Sequence, residues 1–195
     1  MKRITLVSLF FISSFLYSQA PFQIEWQKSI GGSMADFAYS IEPTSDGGFI
    51  VAGNSQSNDG DVAGNHGQTD VWVVKLYSDG QMSWKKTFGG SSFDGAHSIK
   101  QTADGGFIIA GYTASNDNDV SGNHGGRDFW ILKLDSFGNM DWQNALGGNS
   151  TEVAYTVEQT SEGGYIAMGY SVSQAGDVIG NHGETDQFLL YRNFG

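Results

Sequence analysis

The chain has 195 residues with a formal net charge of −11, 28 glycines, 2 prolines and no cysteine. Without cysteine there is no disulfide, thiol nucleophile or cysteine-ligated zinc, and an acidic surface repels phosphate backbones, so nucleic acid is not an expected partner. Glycine at about twice its usual ~7%, with so little proline, marks turns and not a low-complexity linker.

Lys2 and Arg3 precede an apolar run from Ile4 to Tyr17 that ends at Ser18, Gln19 and Ala20. This is the pattern of a secretory signal peptide over 1–20, with cleavage expected between Ser18 and Pro21. The run is shorter than the ~20 residues a membrane-spanning helix needs, and no second run follows. A soluble protein without a transmembrane segment is expected, exported to the periplasm or the medium. Removing the leader leaves 8 basic residues against 21 acidic ones.

Residues 21–195 read as one repeat domain. The pairs Gly31-Gly32, Gly89-Gly90 and Gly147-Gly148 are 58 residues apart, and the same step carries Trp26 to Trp84 and Trp142 and Asp61 to Asp119 and Asp177. Fixed-period self-similarity signals a repeat architecture. The elements in chain order are a strand at 23–30, then units at about 34–88, 92–146 and 150–192. In the second unit, strand A (96–102) alternates and ends at the tight turn Asp104-Gly105. Strand B (107–113) follows, then a loop rich in Asn, Asp and Gly, strand C (128–134), a Gly138-Asn139 turn and strand D (140–146). The last unit stops after its strand C at 187–192, and residues 23–30 match the missing strand D. Strands B and C carry nearly continuous apolar runs, such as Phe107-Ile108-Ile109-Ala110, which predicts burial on both faces. The expected fold is therefore all-β, built from tandem four-stranded antiparallel blades of a β-propeller in three copies, with a threefold β-trefoil or β-prism as the alternative. Three blades are fewer than the roughly four to eight that ordinarily close. Three outcomes stay open: two chains forming a homodimeric six-bladed ring, closure of one chain alone, or a truncated product.

The run Trp84, Phe88-Gly89-Gly90, Asp104-Gly105-Gly106-Phe107-Ile108-Ile109-Ala110-Gly111, Asp128-Phe129-Trp130-Ile131-Leu132-Lys133 and Trp142 resembles the repeat of exported bacterial and archaeal β-propeller-repeat proteins. The resemblance covers essentially the whole chain after residue 20. It implies the architecture and says little of activity, since that family is mostly uncharacterised. Larger proteins of this kind carry more copies and a C-terminal sorting domain, from which this chain departs.

The longest string shared by the copies lies in the B–C loop: Asp61, Asn65, His66 and Asp70; Asp119, Asn123, His124 and Asp128; Asp177, Asn181, His182 and Asp186. Two carboxylates and an amide oxygen per copy suit a hard cation, so Asp61, Asn65, Asp70 and their equivalents are candidate calcium ligands. The ordinary alternative is that these side chains cap their own turns. Strand parity places Asp36, Asp94 and Glu152 on the same rim as the three histidines, which makes that rim the candidate binding face. His97 stands where the other copies have Tyr39 and Tyr155 and reads as a strand-face substitution. Trp26, Trp84, Trp142, Trp72, Trp130 and Phe188 could stack on sugars but read first as packing between blades. No copy carries an extra Asp, Glu or His cluster, so the expectation is a non-enzymatic, multivalent module for a glycan or cell-surface ligand. A polysaccharide-active enzyme and a purely structural secreted protein are the alternatives.

Overall fold

A computed structural model describes residues 23–192, so the leader expected over 1–20 lies outside the described residues. The strands are β1 (Asp36–Pro43), β2 (Phe49–Ser55), β3 (Asp70–Leu76), β4 (Met82–Phe88), β5 (Asp94–Gln101), β6 (Phe107–Thr113), β7 (Asp128–Leu134), β8 (Met140–Leu146), β9 (Glu152–Gln159), β10 (Tyr165–Ser171) and β11 (Asp186–Arg192). They form three antiparallel sheets in chain order: sheet I of β1 to β4, sheet II of β5 to β8, and sheet III of β9 to β11 only. No helix occurs among the described residues, and so none is long and apolar enough to cross a membrane.

The A–B turns follow from their residues. Gly47 and Gly105 sit at φ 82°, a backbone state that an Asp-Gly turn accommodates. Asp46 and Asp104 accept from the N–H of Gly48 and Gly106, two residues on, and from the hydroxyls of Thr44 and Thr102, two residues back. Each aspartate also receives a largely buried lysine, Lys75 Nζ to Asp46 Oδ2 at 2.9 Å and Lys133 Nζ to Asp104 Oδ2 at 2.9 Å. In sheet III the lysine is replaced by Tyr191 and the aspartate by Glu162, and there the hydroxyl of Thr160 is left buried without a partner.

Strands β3, β6 and β7 are buried at every residue, as their unbroken apolar runs predict. The reason is face-to-face stacking of the sheets. Ile50, Ala52, Val71 and Val73 of sheet I pack on Ile99, Phe107, Ile109, Trp130 and Leu132 of sheet II. The opposite face of sheet II, with Ile108, Ala110, Phe129 and Ile131, packs on Ala154, Val157, Tyr165 and Ala167 of sheet III. Within each seam one short parallel bridge joins a B–C loop to the strand-A start of the next sheet, at Thr69 to Phe93 and at Arg127 to Thr151.

Strands β1, β5 and β9 are each bulged, leaving Tyr39, His97 and Tyr155 unpaired in the ladder. Opposite each bulge stands a glycine, Gly53, Gly111 or Gly169. A Cβ on it would lie 1.8 to 1.9 Å from the carbonyl oxygen of Phe37, Gly95 or Val153. The bulge requires that glycine.

Two expectations change. The three sheets form an open row and do not close on themselves as a trefoil or prism. Residues 23–30, expected as a strand D, join no ladder. The strand they would complete, β11, lies at the far end of the row. The segment instead lies on sheet I, with the Trp26 ring 6.1 Å from Phe49, Trp26 Nε1 donating to Ser78 O at 3.1 Å and Lys28 Nζ to Gly80 O at 3.3 Å.

Candidate functional site

The rim loops are built alike. Val62, Val120 and Val178 are buried beneath them. Asn65, Asn123 and Asn181 then pin each loop to its own strand B, the amide nitrogens donating to Ser55 O, Thr113 O and Ser171 O at 2.9, 2.9 and 3.2 Å. Their side-chain oxygens accept from the N–H of Gly67, Gly125 and Gly183 at 2.9, 2.8 and 2.9 Å. Asp61, Asp119 and Asp177 accept from the N–H of Gly31, Gly89 and Gly147 at 3.3, 3.2 and 3.4 Å. Asp70, Asp128 and Asp186 accept from the backbone N–H of His66, His124 and His182. The nine candidate calcium ligands thus share one rim, with each amide oxygen turned to a backbone donor. Among the described residues no group of three or more His, Asp or Glu side chains converges as a metal site.

Each histidine sits closest to the aspartate of its own loop, and His66 and His124 also approach Asp119 and Asp177 of the next loop at 3.7 and 4.0 Å. Nδ1 of His66, His124 and His182 lies 3.2, 2.7 and 3.3 Å from the carboxylate of Asp70, Asp128 and Asp186. The hydrogen bond to Asp128 is the main reason that His124 holds its proton more tightly than usual; burial opposes it, and the charges of Asp128, Asp177 and Glu152 add smaller support.

Asp36, Asp94 and Glu152 begin strands β1, β5 and β9 at that rim, but they turn inward. Asp94 and Glu152 are fully buried. Asp94 accepts from Gly90 N at 2.7 Å, from Ser115 Oγ at 2.7 Å and from Thr113 Oγ1. Glu152 does the same with Gly148 N and Ser171 Oγ, both at 2.7 Å, and with Ser173 N at 3.2 Å. Asp36 repeats the pattern with Gly32 N at 2.7 Å, Ser57 Oγ at 3.0 Å and Ser55 Oγ. These acids hold the D–A and B–C loops together at the start of each sheet.

Across each seam this acid meets a second one. A Cβ placed on Gly89 would lie 2.7 Å from Asp70 Oδ1 and 2.8 Å from Asp94 Oδ2, so the two carboxyl groups meet across that glycine. Gly147 stands in the same way between Asp128 and Glu152. Oδ1 of Asp70 and of Asp128 is buried with no hydrogen-bond partner. Burial, and then the neighbouring Asp94, push Asp70 up to about 6 against the pull of the His66 N–H and ring. Asp128 is raised by burial first and by Glu152, against His124.

One partly exposed feature repeats from sheet to sheet, of which the sequence shows the equivalence of Tyr39, His97 and Tyr155 but not that their rings meet. The bulges bring the rings of Tyr39, His97 and Tyr155 into a row along the adjacent strands β1, β5 and β9. His97 stands 5.5 Å from Tyr39 and 5.4 Å from Tyr155. Nδ1 of His97 lies 2.9 Å from Ala154 O, which fixes the ring over sheet III. Tyr112 and Tyr170 back the row at 5.7 and 5.9 Å, and the Arg127 guanidinium covers Tyr112 at 4.4 Å. Tyr39 and Tyr155 remain more than half exposed, at 53% and 55%. The signal in the sequence was the equivalence of 39, 97 and 155 together with the glycines at 53, 111 and 169.

The tryptophans have ordinary packing roles. Trp26, Trp84 and Trp142 meet Phe49, Phe107 and Tyr165 edge-on at 6.1, 5.8 and 5.9 Å. Trp72 and Trp130 are buried, and Phe188 packs on Phe129 at 5.0 Å. No protein-family model matches the chain, and comparison with the curated proteins finds no match. The functional reading therefore rests on geometry.

Proposed function

We propose that the protein is an exported, non-catalytic β-propeller-repeat module, each sheet a blade, that binds glycans or glycan-bearing cell surfaces on the Tyr39–His97–Tyr155 row. The observation that carries this reading is the row itself. Two half-exposed tyrosines flank a histidine at ring spacings of 5.5 and 5.4 Å on adjacent strands. Such rings offer an apolar face to a sugar ring and polar atoms to its hydroxyls. Spacing several weak contacts along one surface lets them add. A catalytic role has less support, because the repeated rim carboxylates are committed to backbone donors or buried in the seams. The loops are held by hydrogen bonds within the chain, so calcium is not required by this reading.

A glycan array followed by calorimetric titration, with calcium and with a chelator, tests the proposal. Wild-type protein is expected to retain a subset of oligosaccharides equally well in both. Tyr39→Ala/Tyr155→Ala should weaken binding by about tenfold or more with an unchanged circular-dichroism spectrum. Undiminished binding by the double variant, or no glycan bound by the wild type, would overturn it.

A further inference from the structure

The two ends of the row are complementary, and each is unfinished. The outer face of sheet I leaves Phe37, Tyr39 and Ile41 exposed at 52, 53 and 59%, beside a groove of about 540 Å³ that also takes in Trp26, Ile30 and Val51. The outer face of sheet III leaves Met168, Leu189 and Tyr191 exposed at 43, 57 and 55%. The equivalents of Met168 and Leu189 in sheet II, Ala110 and Ile131, are buried in the second seam. Beside them, among the described residues, no strand pairs with the outer edge of β11, where sheets I and II have a fourth strand.

We propose that a second copy of this chain docks head to tail, sheet III of one on sheet I of the other, and that two such seams close a ring of six sheets. In this seam residues 23–30 of the second copy become the fourth strand of sheet III, pairing with β11. Trp26 already rests on Phe49 and on Gly80 as Trp84 of β4 rests on Phe107 and Gly138. The segment is therefore held by its own sheet in the position that a strand D occupies against the following sheet. Closure by two copies gives a sheet number inside the usual range for propellers, which one copy or three copies do not.

The two existing seams specify the third. Ser40 Oγ accepts from Ile99 N at 3.2 Å, and Ser98 Oγ accepts from Val157 N at 3.4 Å. The next member of that series is Thr156 Oγ1 accepting from the N–H of Ile41 in the second copy. Asp70 and Asp128 have no exposed side-chain surface, whereas Asp186 is 34% exposed. His182 is 89% exposed against 36% and 42% for His66 and His124. These are the rim residues that the next sheet would cover. At Gly89 the nearest atoms come from Asp70 and Asp94, whereas at Gly31 the three nearest all belong to Asp36, the place that Asp186 of the second copy would share. The aromatic row is continued in the same step, Tyr155 meeting Tyr39 of the second copy, so the proposed ligand face is complete only in the dimer.

The closing seam also brings like charges together. Lys100 Nζ serves both Glu42 at 2.6 Å and Glu158 at 3.2 Å within one chain. Between copies Glu158 faces Glu42, and Asp186 faces Asp36, with no such lysine between them. Salt screens this repulsion, so association strengthens with ionic strength.

Light scattering coupled to size exclusion reads the mass, with expected dimer at moderate salt and monomer for Leu189→Asp. A cysteine pair gives an independent reading in this cysteine-free chain. Thr185 and Ala35 continue the bridge series of Thr69 with Phe93 and Arg127 with Thr151. Ala35→Cys/Thr185→Cys should become a covalent dimer on oxidation, and neither single variant should form the same closed species. A wild-type monomer at the highest soluble concentration, an open-ended polymer, or failure of the double variant to cross-link would overturn the proposal. The inference rests on reading each sheet as a blade and not on the ligand. A dimer that binds no glycan overturns only the ligand reading, and a monomer that binds glycans overturns only this one.

Discussion

Asp70 illustrates what a repeated polar residue costs inside a seam. Its Oδ2 is held by the His66 N–H, while Oδ1 faces Asp94 across Gly89 with no donor, and Asp119 approaches the same histidine at 3.7 Å. The folded protein therefore keeps a proton on Asp70 up to about pH 6, which the unfolded chain releases near 3.8. The stabilising effect of this raised pKa is complete below about pH 4 and is lost as pH rises through 6, a swing of up to about 3 kcal/mol. Asp70→Asn puts an amide donor where the unpartnered oxygen is. It should raise stability in urea melts by about 2 kcal/mol at pH 8 and leave it nearly unchanged at pH 4. Equal effects at both pH values would show that Asp70 is ionised throughout. Trp72 shows a similar local shortfall. Its indole N–H is buried without an acceptor, whereas Trp130 donates to Gln143 at 2.7 Å, because Lys85 stands where sheet II has Gln143.

At the scale of the strand, the bulge opposite Gly111 is the most sensitive point of sheet II. β6 is buried throughout, and a Cβ at 111 would collide with the Gly95 carbonyl oxygen at 1.8 Å and with Ala96 Cα at 2.8 Å. Neither is a side chain that can move aside. Gly111→Ala should cost more than about 3 kcal/mol of unfolding free energy, against about 1 kcal/mol for Gly105→Ala, a turn glycine at φ 82° with nothing within 4 Å of the new methyl. Thermal melts of the two variants side by side measure the difference. The bulge also marks where sequence legibility stops. Strand positions follow from period-two alternation, from the apolar runs at Phe107 and Phe129, and from the Asp104-Gly105 turn, and all of these are local. That His97 leaves the ladder and joins Tyr39 and Tyr155 depends on one extra residue in β5, which no alternation reports. The inward turn of Asp94 and Glu152 depends on hydroxyls 19 and 21 residues away. Rim parity concerns position along the strand, where Asp94 and Glu152 begin β5 and β9, and leaves the direction of the side chain open. Residues 23–30 carry a strand-like pattern, but pairing needs an edge, and they meet none among the described residues.

The whole molecule is a row with unequal ends. Among the described residues sheet II is packed on both faces, sheet I on one face with residues 23–30 on the other, and sheet III, of three strands, on one face. Protection should follow that order, since local opening is governed by buried contacts and by backbone hydrogen bonds open to solvent. In hydrogen-exchange mass spectrometry, peptides from β6 and β7 should exchange slowest and those from β11 fastest among the strands. Dilution should speed exchange at β11 and at residues 23–30 together if the two segments pair between copies.

The 58-residue step has a consequence for how such a chain can change. Seam contacts recur with both partners shifted by one repeat, as Ser40 with Ile99 is followed by Ser98 with Val157, so duplicating or deleting one whole unit leaves each remaining interface intact. Length can therefore vary in steps of one sheet without any seam being redesigned, and under the proposed ring the number of chains needed to close it would change at once. In that ring stoichiometry would be inherited from copy number, and a recombination event inside the gene would alter it without a single amino-acid substitution.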